Sequence, residues 1–353
     1  MTKEIKIGNI LIGCGHEIAI QSMTTTDTAD VFHTVEQILQ LEQAGCNIVR
    51  ASVYNMEAAK AFRKIKEQIS IPLVADIHFD HRLAIAAVEN GADKLRINPG
   101  NITDPAAVRQ VTDCAKTYGV PIRVGVNGGS LSPEVRRRFG GTSAMALVAS
   151  AMENIRLLEN NGFYNIVVSV KASDVRKMME AYRLLSAQCD YPLHLGVTEA
   201  GTPDIGIVKN AIGIGGLLLE GIGDTVRVSL TGDPVQEVLA AQNILRSIGL
   251  YNRGVEVISC PMCARTRIPL EHIVREVKEA TKDIQAPIKV AVMGCVVNGP
   301  GEAKEADIGL AGGGGNGERA VVFRGGEILA TGEIQQMTQL LIDEIKHMAA
   351  LGT

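Results

Sequence analysis

Short runs rich in β-branched residues recur eight times in the first 231 residues, separated by longer segments whose apolar residues have helical spacing. Several of these segments end in glycine, as at Gly45 and Gly119, which is typical of a helix that stops in a left-handed residue. Eight β-then-α units predict an α/β fold, a (β/α)8 TIM barrel over about residues 1–250, with an open doubly wound sheet as the alternative. The predicted strands are residues 18–23, 47–53, 73–79, 94–99, 122–127, 166–171, 193–199 and 225–231.

The pattern changes after residues 251–254, which read Tyr-Asn-Arg-Gly. A strand then leads into two cysteines, a helix follows at about residues 269–283, and further strands and a last helix complete the chain. This order predicts a small α+β domain. We therefore expect two domains, a substrate-binding barrel at residues 1–253 and a second domain at residues 254–353.

Charge and hydropathy exclude several classes of function. A formal net charge of −4 over 353 residues gives no general attraction to nucleic acid or to anionic lipid, and no apolar run reaches membrane-spanning length. The N-terminal residues lack the long apolar core of a secretory signal peptide. We expect a cytoplasmic protein that binds neither nucleic acid nor membrane, and in that reducing compartment its seven cysteines should not form structural disulfides.

Polar side chains occur late in seven consecutive predicted strands, where a parallel barrel forms its active site. Four arginines and a lysine among them would repel one another unless an anion joins them, and the planar fork of arginine suits phosphate oxygens. We therefore expect a polyanionic, phosphorylated substrate, with carboxylates and a histidine that orient hydroxyl groups or move protons. These residues are Arg50, Asp76, His78, Arg96, Asn98, Arg123, Asn127, Ser169, Lys171, Thr198, Glu199, Arg227 and Ser229.

Three cysteines of the second domain form a set that cannot close as pairs: Cys260 and Cys263 in a C-x-x-C pattern, and Cys295 further along. An iron–sulfur cluster on three cysteines would leave one iron for another ligand, and Glu302 follows a Gly-Pro-Gly turn that would fix it near the set. A zinc site, which needs four ligands, and a redox dithiol, which leaves Cys295 unexplained, are the alternatives. The isolated cysteines, expected to be small apolar fillers, are Cys14, Cys46, Cys114 and Cys189.

The chain resembles the 4-hydroxy-3-methylbut-2-en-1-yl diphosphate synthase family of the methylerythritol phosphate pathway, in its shorter bacterial form. The resemblance covers nearly the whole chain and rests on the stretches "QSMTTTDT", "ADIHFD", "KLRINPGNI", "IRVGVNGGSL", "SVKASD", "LGVTEAG", "EGIGDTVRVSLT" and "GCVVNGPGEA". It implies the reductive ring opening of 2-C-methyl-D-erythritol 2,4-cyclodiphosphate, with loss of a hydroxyl as water. It also implies a [4Fe–4S] cluster, supplied with two electrons by flavodoxin or ferredoxin.

The resemblance also implies roles for particular residues. The cluster ligands of the family match Cys260, Cys263, Cys295 and Glu302. One position departs from the family pattern, because Met262 stands where the family usually has threonine, which puts only the hydrogen bonding around the sulfurs in doubt. Substrate-contacting positions match Arg96, Arg123, Asn127 and Lys171, the acid position matches Glu199, and Arg50, Asp76, His78, Ser229 and Asn298 lie in family motifs with less defined roles.

The order of the domains predicts how the chain assembles. The helix after the eighth strand, at about residues 234–248, should end at the face of the barrel opposite the active site, and the second domain begins a few residues later. That short connection should not carry the cysteines back to the substrate of the same chain. We therefore expect a head-to-tail homodimer in which the second domain of one chain caps the barrel of the other, as the resemblance also implies.

One alternative function belongs to another class. A barrel that binds a pterin or a phosphate ligand, joined to a zinc-bearing interaction module, would share the fold and carry no redox chemistry. The colour of anaerobically purified protein separates the two, because an iron–sulfur protein is brown and a zinc protein is colourless.

Overall fold

The computed structural model of the chain describes residues 1–98, 101–102, 104–295, 305–313 and 318–351. It divides into two compact units, Met1–Leu250 and Tyr251–Thr353. No helix in these ranges combines the length and the apolar character needed to cross a membrane.

The first unit is a parallel barrel built from eight of its strands. Neighbours along the chain are neighbours in the sheet, and the eighth strand pairs with both the first and the seventh. The sixth and seventh strands meet through a single bridge between Val168 and Leu193, which leaves the barrel nearly closed. The predicted TIM barrel is therefore confirmed. Its strands are β3 (Ala19–Met23), β4 (Ile48–Ser52), β5 (Leu73–Asp76), β6 (Lys94–Ile97), β7 (Ile122–Asn127), β8 (Ile166–Lys171), β9 (His194–Leu195) and β10 (Thr225–Val226).

Helices alternate with the barrel strands, and local sequence determines where these helices begin and end. Side chains such as those of Asp30, Asn55 and Asp174 accept hydrogen bonds from the first free backbone N–H groups of their helices. Gly119 ends its helix with φ of 68°, the left-handed stop that the sequence predicts. The helices are α1 (Val31–Gln43), α2 (Met56–Lys66), α3 (His81–Glu89), α4 (Pro105–Tyr118), α5 (Pro133–Arg138), α6 (Ala144–Asn160), α7 (Val175–Ser186), α8 (Pro203–Asn210), α9 (Gly216–Leu219) and α10 (Pro234–Ser247).

Two features of the barrel differ from the sequence prediction. The last two predicted strands, residues 193–199 and 225–231, end at Leu195 and Val226, and irregular backbone carries the chain onward from there. An antiparallel hairpin of β1 (Ile5–Ile7) and β2 (Ile10–Ile12) precedes the barrel and was not predicted. Its isoleucines pack against the first residues of the strands, including Ala19 and Ile48, and so bury the base of the barrel.

In the described residues, the second unit is a five-stranded sheet covered by two helices. Its first three strands are parallel and the last two are antiparallel. Ile273 and Val277 from one helix and Leu341 and Ile345 from the other pack into one apolar core with the sheet. The elements are β11 (Val255–Ser259), α11 (Leu270–Ala280), β12 (Ile288–Met293), β13 (Ile308–Gly312), β14 (Arg319–Arg324), β15 (Glu327–Glu333) and α12 (Ile334–Leu351).

Candidate active site

The carboxyl ends of the barrel strands surround a cavity of about 820 Å³. This is the face at which barrels of this kind form their active sites. Of the thirteen rim residues singled out in the sequence, the structure brings all but Glu199 into the wall of one cavity. They are Arg50, Asp76, His78, Arg96, Asn98, Arg123, Asn127, Ser169, Lys171, Thr198, Arg227 and Ser229.

Asp76 lies at the centre of an ion-pair network in the cavity wall. Its carboxylate is 3.1 Å from Nη1 of Arg96 and 3.7 Å from Nε of Arg50, and all three side chains are largely buried. Burial by itself raises the pKa of Asp76, but the neighbouring positive charges, led by Arg50 and Arg96, together outweigh it and hold that pKa below its usual value. Asp76 is therefore a carboxylate that orients the two arginines.

Arg123 is a buried cation of the cavity with few hydrogen-bond partners. Only 1% of it is exposed, and Nη1 donates to Oγ of Ser169 at 3.0 Å. Within the described part of the chain, its Nε and Nη2 have no hydrogen-bond acceptor, and neither does Nε of Arg96. Burial first, then the charges of Arg50 and Arg96, lower the pKa of Arg123. Buried donors are almost always satisfied, so this arrangement calls for an anionic ligand.

Arg227 and Lys171 complete the positive wall. Arg227 forms a bidentate pair with the buried carboxylate of Glu237, at 3.0 and 3.1 Å from Nη2. Nζ of Lys171 lies 3.3 Å from Nε2 of His194. Asp76 and Glu237 are the two buried carboxylates of this group, against four arginines and a lysine. The cavity therefore has an excess of positive charge.

A glycine makes room for one of these arginines. A Cβ atom on Gly125, in β7, would lie 2.6 Å from Nε of Arg96, which is too close for any side chain. Gly125 could not be identified from the sequence, because its effect depends on a neighbouring strand. The same holds for Ser132 at the start of α5 and for Ser150 and Glu153 on α6, which line the cavity although they do not lie at the end of a barrel strand.

The remaining rim residues have separate surroundings. The side chain of Asn127 accepts a hydrogen bond from the backbone of Ser130 and so caps the turn that follows β7, while still lining the cavity. His78 lies in the wall beside Phe79. Glu199 is exposed and has φ of 53°, a conformation that is uncommon for residues other than glycine. It is the rim residue that the structure does not bring to the cavity wall.

In the second unit, two of the three clustered cysteines lie just beyond neighbouring parallel strands, at the carboxyl edge of the sheet, which we call the cysteine edge. Cys260 follows β11 and Cys295 follows β12, and these strands pair in parallel with Ser259 opposite Val292. The backbone N–H of Gly294 donates to Sγ of Cys260 at 3.2 Å. The parallel pairing therefore brings Cys260 next to the segment that carries Cys295.

Cys263 lies on a turn between these elements. Its carbonyl accepts from the N–H of Thr266 at 2.9 Å, and its own N–H donates to Oγ1 of Thr266 at 3.1 Å. The side chain is exposed, and hydrogen bonding from Arg265 lowers the pKa of the thiol. The proposed ligand Glu302 and the motif residue Asn298 lie outside the described residues. Within those residues no cluster of three metal-ligating side chains is closed.

The isolated cysteines behave differently. Sγ of Cys46 contacts the carbonyl of Ile48 at 3.1 Å, and burial raises its pKa to about 12, so this thiol is unreactive. All seven cysteines are free thiols in this structure.

Both units of the chain match models of known protein-family domains. Residues 2–242 match the GcpE TIM-barrel domain, and residues 256–347 match the GcpE protein C-terminal domain. A relative from Caldanaerobacter subterraneus subsp. tengcongensis, called 4-hydroxy-3-methylbut-2-en-1-yl diphosphate synthase (flavodoxin), is 56% identical over 99% of this chain and 97% of its own length. A relative of the same name from Clostridium perfringens is 53% identical over 98% of each chain.

Solved structures resemble the chain more distantly. Dihydropteroate synthase from Stenotrophomonas maltophilia superposes with a TM-score of 0.51 at 14% identity, covering 70% of this chain and 98% of that one. Type I 3-dehydroquinate dehydratase from Clostridium difficile gives a TM-score of 0.51 at 13% identity, covering 70% and 99%. At such low identity, the likeness shows only that the barrel fold is shared.

Proposed function

The chain belongs to the GcpE family of 4-hydroxy-3-methylbut-2-en-1-yl diphosphate synthases, and we propose that its two units divide the work of that enzyme between them. It is an oxidoreductase that converts 2-C-methyl-D-erythritol 2,4-cyclodiphosphate into 4-hydroxy-3-methylbut-2-enyl diphosphate. In our proposal, the barrel binds the cyclic diphosphate and the second unit carries the redox group. The observation that carries the proposal is the buried guanidinium of Arg123 with two unpaired nitrogens.

The diphosphate is held by the positive wall of the cavity. Arg123 and Arg96 offer the unpaired donors, and the ammonium of Lys171 faces the same cavity. Asn127 and Ser229 supply neutral hydrogen-bonding groups, Asn298 is a further proposed contact, and His78 is placed to contact hydroxyl groups. Asp76 acts indirectly, because its oxygens are already engaged by Arg50 and Arg96. A dianion that joins these cations removes their mutual repulsion, and desolvation strengthens each hydrogen bond.

Glu199 is the proposed proton donor for the departing hydroxyl. It is exposed, lies two residues beyond the buried Val197, and has a left-handed backbone conformation. Such strained residues persist where the surrounding structure fixes them, and they are concentrated at active sites. In this proposal, the strained turn aims the carboxyl group, while the cavity wall holds the diphosphate.

The three clustered cysteines fit a [4Fe–4S] cluster. Cys260 already accepts a backbone hydrogen bond, of the kind that stabilises thiolate ligands, and the lowered pKa of Cys263 favours the ligating thiolate. Cys260, Cys263 and Cys295 would hold three irons, and Glu302 would hold the fourth. When bound, such a cluster supplies the single electrons that no side chain can provide. The proposed electron donor is flavodoxin, which the names of the relatives include, or ferredoxin.

The enzyme acts as a homodimer in a head-to-tail arrangement, in which each cavity is completed by the second unit of the other chain. The support is the connection along the chain. Helix α10 runs back from the cavity end of the barrel and ends at Ser247, and β11 begins at Val255. A mixed dimer of Arg123→Ala and Cys263→Ser chains would contain one intact composite site. Co-expressed chains should regain part of the activity that each variant alone lacks. Inactive mixed dimers, or a fully active monomer, would rule the arrangement out.

Anaerobic purification tests the whole proposal. The protein should be brown, contain about four irons per chain, and convert the cyclic diphosphate when reduced flavodoxin is supplied. The alternative of a pterin- or phosphate-binding barrel with a zinc module predicts colourless protein that contains zinc and shows no conversion. Colourless, zinc-loaded protein without turnover would therefore replace the present proposal with that one.

A further inference from the structure

His194 is a buried residue that the proposed reaction does not use. It begins strand β9, is completely buried, and is not part of the cavity wall. Its Nε2 lies 3.3 Å from Nζ of Lys171, and its Nδ1 lies 2.8 Å from Oγ1 of Thr225. The imidazole therefore joins a cavity lysine to a hydroxyl on the neighbouring strand β10.

The geometry around Lys171 leaves its amino group little freedom. A Cβ atom on Gly196 would lie only 2.6 Å from Nζ of Lys171, so the glycine forms one side of a narrow slot. Tyr182 ties the two backbones together, because its hydroxyl donates to the carbonyl of His194 at 2.5 Å and accepts from the N–H of Val170 at 3.3 Å. The slot thus fixes both ends of the Lys171–His194 contact.

Hydrogen-bond chemistry defines the protonation state of this pair. An ammonium group can only donate, so a charged Lys171 requires Nε2 of His194 to be the acceptor. The neutral imidazole then carries its hydrogen on Nδ1 and donates it to Thr225. Burial, followed by the nearby charge of Arg123, lowers the pKa of His194 well below its ordinary value, which keeps the ring neutral.

We propose that His194 is a positioning residue that holds Lys171 as a hydrogen-bond donor into the cavity, and that Lys171 takes up a proton from solvent when the anionic substrate binds. The proposal rests on the diphosphate site described above. The proton adds to the Nζ lone pair of Lys171, and Nε2 of His194 accepts one of the resulting N–H groups.

Charge drives this uptake. Burial and then the charges of four neighbouring arginines lower the pKa of Lys171, so the free cavity disfavours its protonated form. An anion bound among these cations reverses the electrostatic part of that shift and draws a proton onto Lys171. The buried carboxylates of the neighbouring elements are engaged elsewhere: Asp224 accepts from Leu193 N and Thr2 Oγ1, Glu237 pairs with Arg227, and Asp76 pairs with Arg50 and Arg96. The arginines concerned are Arg50, Arg96, Arg123 and Arg227.

Calorimetry with inorganic pyrophosphate tests the uptake. The anaerobically purified full-length protein is titrated in pairs of buffers that differ in ionisation enthalpy, at several pH values between about 6 and 9. We expect uptake to approach about one proton per site at the alkaline end and to disappear in a Lys171→Met variant. Binding without uptake at any of these pH values would overturn the inference and leave the diphosphate site standing. If pyrophosphate does not bind at all, the diphosphate site itself is wrong, and this inference falls with it.

Variants of His194 test the positioning role. His194→Leu removes the acceptor and should weaken pyrophosphate binding about tenfold or more, with a steeper loss as pH rises. His194→Gln keeps an oxygen acceptor and should restore much of the affinity. The matched control is His272→Gln, at an exposed histidine, and this variant should bind pyrophosphate as the unmodified protein does. Equal affinity and equal pH dependence in His194→Leu and in the control would overturn the positioning role.

Nitrogen-15 NMR of the unmodified protein gives a test that does not depend on whether a variant folds. The ring of His194 should show the neutral tautomer with its hydrogen on Nδ1, and it should not titrate between about pH 6 and 8. A ring that is charged in this range, or that carries its hydrogen on Nε2 once pyrophosphate is bound, would contradict the proposed direction of the hydrogen bond.

Discussion

The barrel cavity and the cysteine edge of the second unit use the same topological position in different ways. Both place their reactive side chains just beyond the carboxyl ends of parallel strands. In the barrel, those side chains already bind one another, as Asp76 does with Arg50 and Arg96. At the cysteine edge, by contrast, Sγ of Cys260 accepts a hydrogen bond from the backbone N–H of Gly294, while the side chain of Cys263 is exposed. One site is organised by the protein alone, whereas the other leaves much of its organisation to the group it binds.

The two sites also differ in electrostatic cost. The barrel buries cations whose charges repel one another, so its wall is preorganised for an anion at the expense of stability. The cysteine edge holds small thiols that cost little to leave unbound. Removing a cysteine should therefore affect cofactor content more than folding, while removing a barrel charge should affect ligand binding and stability together.

The largest effect should come from Cys295→Ser. The two remaining thiolates and a carboxylate cannot replace a third thiolate, so the purified variant should lose most of its iron and essentially all of its activity. Cys114→Ser, a half-buried cysteine of the barrel, is the matched control and should keep both. Iron measurement and visible absorbance check the result. Full iron content in Cys295→Ser would show that the cysteine edge does not bind the cluster as proposed.

Glu302→Ala should separate cofactor content from turnover. The three thiolates supply most of the bonding, so the variant should retain its iron, while turnover falls by about a hundredfold because ligand exchange or proton delivery is lost. Glu302→Asp, which keeps the carboxylate, should recover part of this loss. Iron content and single-turnover rates, measured on the same sample, give the answer. Near-normal turnover in Glu302→Ala would remove this residue from the mechanism.

Arg123→Ala should weaken substrate binding by about 1.5–3 kcal/mol for each charge-assisted hydrogen bond lost, or roughly 10- to 150-fold. Its iron content should stay normal, in contrast to the cysteine variant. Arg176→Ala, on the exposed face of α7, is the control and should bind substrate normally. Substrate affinity measured by calorimetry decides the outcome. Unchanged affinity in Arg123→Ala and also in Arg96→Ala would place the diphosphate elsewhere.

The sequence predicts the parts of this molecule that depend on local pattern. Strand runs, the glycine stop at Gly119 and the C-x-x-C spacing all follow from residues close together in the chain. The early end of β9 does not follow from local sequence. Beyond it, the side chain of Asn210 takes the place of strand pairing, because it accepts from the N–H of Val197 and donates to the carbonyl of Ser229.

Some residues of the candidate site could be predicted from the sequence, and others could not. The rim residues could be named because polar side chains late in a barrel strand must converge on one end. The partnership of His194 with Lys171 could not, since it depends on the register between two strands and on the slot beside Gly196. Side chains that support other side chains across strands leave no periodic trace in the sequence.

The smallest effect concerns the stability of the barrel itself. Lys94 is completely buried in the barrel, its Nζ donates to Oε1 of Gln21 at 3.1 Å, and burial lowers its pKa well below the ordinary value of 10.5. Over the pH range between the folded and unfolded pKa values, the unfolded chain binds a proton at Lys94 that the folded chain does not. The free energy of unfolding should therefore rise as pH increases toward 10.5, by at most about 1.4 kcal/mol per pH unit for this group.

Removing this amine should flatten that dependence. In the double variant Lys94→Met with Gln21→Leu, both polar groups are replaced by apolar ones of similar size, so no buried partner is left unpaired. Its unfolding transition should change less between about pH 7 and 10 than that of the unmodified protein. Lys60→Met, an exposed lysine of α2, should leave the dependence unchanged. Parallel pH profiles for the double variant and the unmodified protein would mean that Lys94 keeps its proton in the folded barrel, with Gln21 Oε1 compensating for its burial. The excess positive charge of the free cavity would then be larger, because a further cation would lie close to the wall.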